Sequence, residues 1–113
     1  MTKMLVSDVF ECNKVLDKIM KQRTLLPISV GLKINKIMKE FDEVEEYVLK
    51  TMDVAFGEID WTRITKEQMQ FYNTVLSQEI EIDFEKIPRE IFENNDKVML
   101  SIEDVDKLTL ILT

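Results

Sequence analysis

The 113-residue sequence contains no histidine. Histidine is the commonest general base and metal ligand near neutral pH, so its absence excludes nucleophile-histidine triads, zinc-protease motifs and histidine-based nucleases from this chain. Carboxylate-only magnesium chemistry is the metal-assisted route that remains. The two glycines, Gly31 and Gly57, lie too far apart to build a phosphate-cradling loop, which removes the P-loop and dinucleotide fingerprints. The single cysteine, Cys12, admits no intrachain disulfide and falls in a helical apolar pattern, where a small core residue is expected rather than a reactive thiol. The longest apolar runs, such as Leu110-Ile111-Leu112, fall far short of the roughly 18 residues that suggest a membrane span. Asp8 and Glu11 interrupt the N-terminal stretch before a signal-peptide core can form. The expectation is a non-enzymatic cytoplasmic protein that uses no cofactor and no metal. Its 45% hydrophobic and 33% charged residues are a normal folded balance, and one domain over 1–113 is expected.

Most of the chain reads as helix. Ser7 is placed to cap a first helix over about 8–21, with Val9, Cys12, Leu16 and Ile19 forming one apolar stripe. Pro27 ends any continuation and suits the first turn of the next helix. From there Val30, Ile34, Ile37, Phe41, Val44 and Val48 repeat at four and three, a heptad seam. It predicts a long helix over 28–56, closed by Gly57 in the left-handed conformation. Such a helix is roughly 40 Å long against roughly 20 Å for the first. Its first half can form an antiparallel hairpin with helix one, but Phe41 to Val48 needs another partner, either the C-terminal half of the chain or a second subunit. Residues 58–64, with the sole tryptophan Trp61, read as a connection. Thr65 to Gln68 is a capping-box sequence opening a short third helix to about Ser77.

"EIEIDFEKI", 79–87, alternates as a strand, with Ile80, Ile82 and Phe84 on one side and Glu79, Glu81, Asp83 and Glu85 on the other, ended by Pro88. The apolar side is the natural cover for the far part of helix two. "REIFENND" predicts a single turn and then a loop at Asn94-Asn95-Asp96, and 98–100 a very short second strand. Ser101 begins another capping sequence, opening a terminal helix or turn that carries Val105, Leu108 and Ile111 inward. The fold class is mainly α with a minor β element (α+β). Seven methionines, among them Met38, Met52, Met69 and Met99, read as adaptable core packing.

The charges are unevenly distributed. Residues 1–39 carry eight Lys or Arg against three acids, while 40–113 carry seven against nineteen, for a net charge of −7. In an antiparallel hairpin Lys14, Lys18, Lys21, Arg23, Lys33, Lys36 and Lys39 gather toward the turn, leaving a bipolar surface suited to self-association or to docking two partners. The candidate interaction surface is Lys33, Lys36, Lys39, Glu43 and Glu46 on helix two with Glu79, Glu81, Asp83 and Glu85 on the strand. Net negative charge and the lack of interleaved aromatics argue against nucleic-acid binding. The four strand acids, about 7 Å apart, are spaced like phosphates to an order of magnitude, which admits inhibition of a nucleic-acid-binding or defence protein as an alternative. A strand holds alternate side chains in a line and does not wrap them round a calcium ion.

"LLPISVGLKINKIMKEFDEVEEYVLK" from Leu25, "EIEIDFEKI" and "MLSIEDVDKLTLIL" from Met99 together resemble a family of small uncharacterised proteins of tailed bacteriophages. The likeness lies in a Leu-Pro followed by a lysine-rich and then glutamate-rich long helix, an acidic alternating strand, and a closing Leu-rich segment. Thr109-Leu110-Ile111-Leu112 departs from the Glu-Pro pair that family tends to carry. The resemblance implies a phage accessory protein in the host bacterial cytoplasm, with association with the virion as the alternative location and no activity to transfer. Together these readings lead to an expected role in protein-protein contact, in virion assembly or as an assembly chaperone. Inhibition of a host protein and small-ligand sequestration by an oligomer are the alternatives.

Overall fold

The heptad seam becomes the longest element of the computed structural model, which describes residues 1–21, 26–93 and 101–113. The chain opens with β1 (Thr2–Leu5) and α1 (Val6–Lys21), followed by α2 (Ile28–Phe56). At 1.5 Å per residue α2 is about 43 Å long, against a longest molecular extent of 45 Å. A radius of gyration of 15.7 Å exceeds the roughly 13 Å of a compact chain of this length because that one helix spans the molecule. After a 3-10 turn at Trp61–Arg63 come α3 (Lys66–Leu76), β2 (Glu79–Ile82), the single turn α4 (Glu90–Glu93) and α5 (Ile102–Lys107). The protein is mainly helical, with one small antiparallel sheet in which β1 pairs with β2.

β1 was not expected from the sequence. Four residues are too few to show a period, and the strand runs straight into a helix. The expected Ser7 cap is corrected by the same junction. The helix begins at Val6, and the Asp8 carboxylate accepts from the Leu5 N–H at 3.0 Å, the half of a capping box that reaches back from the third helical residue. The strand read over 79–87 is also shorter than expected and ends at Ile82, before Pro88. β1 offers only four partners, and beyond them the chain turns back to α2, returning to strand-like pairing where Ile87 bridges Leu112. The Ile87 N–H donates to the Ile111 carbonyl at 2.8 Å, and the Thr113 N–H to Ile87 at 2.9 Å.

Other local expectations match. Thr65 and Gln68 form a reciprocal capping box, as do Ser101 and Asp104. Pro27 stands one residue before α2 as its N-cap. Gly57 closes α2 with φ 73°, as expected, but with ψ −153° it is extended rather than left-handed helical. Its N–H still donates to the Asp53 carbonyl at 2.7 Å. The possible strand at 98–100, the loop at 94–96, Arg23 and Met99 lie outside the described residues.

The core sits between α1 and α2. Val9, Cys12, Leu16 and Ile19 meet Val30, Ile34, Ile37 and Phe41, and the C-terminal Leu108, Ile111 and Leu112 join them. Cys12 donates its thiol to the Lys107 carbonyl, Sγ to O 2.7 Å, tying α1 to the end of α5. Burial, with Asp8 and Glu11 adding to it, pushes this thiol up to about 12, so it stays protonated as the small core residue expected. Lys18 reaches Asp104 at 2.7 Å and holds the same two helices from outside.

Candidate functional site

Beyond Phe41, α1 no longer covers α2. Phe84 lies edge-on to Phe41, with ring centroids 5.9 Å apart, and Ile82 is 5% exposed, so the segment following α3 covers the middle of α2 as its alternation suggested. The cover is incomplete. α3 returns along the far end of α2, held there by Phe56 on Phe71 and by Trp61 on Tyr72, at 5.3 and 5.2 Å, and it buries none of its residues fully.

An open groove of about 640 Å³ remains between these pieces. One wall is α2, where Val44 and Val48 of the seam are widened by Tyr47 and Thr51; the second is α3, through Phe71 and Val75. The third is β2, which contributes Ile80, Glu81 and Ile82, with Asp83 just beyond its end. Tyr47 is 72% exposed at its mouth. Glu40, Glu43, Glu81 and Asp83 rim this apolar lining. Nearby, burial raises the Glu45 carboxyl above its ordinary range, the Asn13 amide opposing and Asp42 adding to the shift. Burial and Glu45 raise Tyr72 in turn. The Asn13 amide donates to Asp42 at 2.9 Å, while its buried carbonyl oxygen has no partner among the described residues.

The residues picked out from sequence divide among three places. Glu43, Glu81 and Asp83 rim the groove. Lys33, Lys36 and Lys39 meet Asp83 and Glu85 around a separate depression of about 240 Å³, where Lys33 lies 3.7 Å from Glu85. Glu46 and Glu79 are exposed and border neither. The expected row of four strand acids does not form, because β2 ends at Ile82 and Asp83 and Glu85 follow the chain toward the lysines. On the sheet itself Lys3 stands directly opposite Glu81, so that face is not wholly acidic. Sequence reading missed Tyr47 and Phe71 as lining residues. The signal was present in Tyr47 and Thr51, which flank the Val44–Val48 stripe one helical step round, but an aromatic beside a seam reads equally well as core.

No cluster of three carboxylates or thiols placed to hold a metal ion occurs among the described residues. No helix there is long and apolar enough to cross a membrane. Comparison of the chain with protein-family models, curated proteins and solved structures finds no match.

Proposed function

We propose that this protein is a non-enzymatic accessory protein that acts by protein-protein contact, and that the groove between α2, α3 and β2 is its contact surface. The observation that carries the reading is the groove: an open apolar trough of about 640 Å³ with an acidic rim, on a chain without histidine. Exposed apolar surface rimmed by charge is the usual mark of an interaction site. The antiparallel hairpin of α1 and α2 serves as a stiff scaffold, and its basic and acidic ends orient the partner during encounter. The resemblance to tailed-phage proteins supports a phage accessory role, and within it we favour virion assembly, with the protein as assembly factor or chaperone. A groove of this volume also falls within the range of small-molecule sites, which supports sequestration of a ligand by a single chain as the second reading.

A photo-crosslinking residue in place of Tyr47 tests this in the producing cell. A discrete heteromeric adduct is expected, with none from the same probe at Lys50, which is also exposed on α2 but lies outside the groove lining. Equal adducts from both positions, or none from either, overturn the reading. Cosedimentation of the adduct with assembly intermediates or particles supports the assembly role, and its absence from both argues against it.

A further inference from the structure

We propose that the outer edge of β2 takes an extended peptide of alternating apolar and basic residues as a third strand, laid along the groove. The proposal rests on the reading of the groove as a protein-contact surface and names the chemistry of the partner. Its first support is the ladder. The Val6 N–H donates to the Gln78 carbonyl at 2.9 Å, which makes Val6–Gln78 a hydrogen-bonded pair. Antiparallel pairs alternate, so Met4–Ile80 and Thr2–Ile82 are hydrogen-bonded as well, while Lys3–Glu81 and Leu5–Glu79 are not. The main-chain N–H and C=O groups of Glu79 and Glu81 therefore point away from β1. Among the described residues no backbone hydrogen bond from another element reaches them. An edge in this state is a template for another strand.

The second support is where that edge lies. Side chains from both faces of β2, Ile80 and Ile82 on one and Glu81 on the other, line the groove, so the strand presents its edge to it. The opposite wall runs along α2 from Glu40 to Thr51, a rise of roughly 16 Å at 1.5 Å per residue. About five extended residues cover that distance at roughly 3.3 Å each.

Side-chain chemistry follows from alternation. Inward positions of an added strand meet Val44, Val48, Phe71 and Val75 and must be apolar. Outward positions share the face of Glu79 and Glu81, with Glu40, Glu43 and Asp83 at the rim, and favour lysine or arginine. β1 follows this rule at its two central positions on the other side of β2, though not at Leu5, which stands exposed opposite Glu79. It turns Met4 into the core and sets Lys3 opposite Glu81. A second copy offering its own alternating strand, Glu79–Ile82, is a poor occupant, since it would bring glutamates to an acidic rim.

The test is fluorescence anisotropy of the full chain with a labelled, end-capped peptide of about ten alternating valines and lysines. Saturable binding is expected, weakened about tenfold or more by the exposed pair Glu81→Gln/Asp83→Asn and, on the opposite wall, by Glu40→Gln/Glu43→Gln. Circular dichroism melts show whether each variant keeps its fold. N-methylation separates strand addition from charge attraction, because alternate residues of a strand turn their amides to opposite edges. In antiparallel addition the lysine amides face β2. Methylating them weakens binding about tenfold or more, whereas methylating the valine amides leaves it within about twofold. The proposal is overturned by no binding up to about 1 mM, by equal effects of the two methylation patterns, or by tighter binding of a helix-forming peptide of the same composition. It is likewise overturned by a self-association that the same variants abolish. If the peptides fail while Tyr47 still crosslinks a partner, this inference falls and the protein-contact reading stands.

Discussion

Replacing Phe41 by alanine tests whether the segment after β2 is seated on α2 as described. Phe41 is fully buried at the centre of α2, between α1 below and the Phe84 ring above. Truncating a buried phenylalanine costs about 3–5 kcal/mol in lost transfer energy and residual cavity, of which about 0.5–1.5 kcal/mol belongs to an edge-to-face ring pair. Domains of this size have about 5–15 kcal/mol of stability in all, so the variant should remain folded but with little margin. With an unfolding entropy near 2.1 cal/mol/K per residue, each kcal/mol moves the midpoint by about 4 °C, giving a drop of about 12–20 °C. Phe84 is only half-buried, and Phe84→Ala should cost about 1–2 kcal/mol. Urea titrations of both single variants and the double variant, followed by circular dichroism, give the coupling. It should be about 0.5–1.5 kcal/mol at unchanged m-value. Strictly additive losses, or a cost below about 1 kcal/mol for Phe41→Ala, would refute the packing of Phe84 on Phe41.

The two glycines should respond with opposite signs. Gly57→Ala forces a side chain into a backbone region reserved for glycine and should cost about 1–3 kcal/mol, although the space around the added carbon is open. Gly31→Ala lies in helix with equally open space and should stabilise by about 0.5–1 kcal/mol; thermal melts of the two decide. Asp104 is held below its ordinary 3.8 chiefly by Lys18, with the Ser101 backbone and hydroxyl helping. Its contribution is therefore present above pH 3.8 and lost as pH falls through the lower folded value. Asp104→Asn should cost about 0.5–1 kcal/mol at pH 7, through loss of the charge beside the half-exposed Lys18 and in the first helical turn while the amide oxygen can still accept from the Ser101 N–H, and the gap from the parent should close in strong acid. Cys12, raised from 9.0 to about 12, should react with a thiol reagent at pH 8 about a thousandfold more slowly than in the unfolded chain. Rapid labelling of the native protein would place it outside the core.

Which parts of this fold were legible follows from how far each signal reaches along the chain. A repeat sustained over several turns, as from Val30 to Val48, identifies a helix without any knowledge of its neighbours, and the capping boxes at Thr65 and Ser101 are complete within four residues. The hydrophobic face of Ile80 and Ile82 was equally local. β1 was not, because "TKML" becomes a strand only when Glu79–Ile82 is there to pair with it. For the same reason the strand ends at Ile82 although its alternation continues to Phe84 and Glu85.

The candidate site shows the same division. Absent histidine, scarce glycine and a lone cysteine restrict the chemistry whatever the fold, and the excess of acids after Lys39 is a property of the chain itself. Sequence also fixes that α2 is too long for α1 to cover. How the remainder is covered is tertiary. Phe84 takes the middle, α3 is held at the far end by two aromatic pairs, and a groove stays open between them with Tyr47 at its mouth. The acids at 81–85 are divided between that groove and the lysines of α2 because chain direction after Ile82 is set by packing on Phe41 and by the bridge from Ile87 to Leu112. Local pattern decides which way side chains alternate; only contacts distant in sequence decide what stands opposite them.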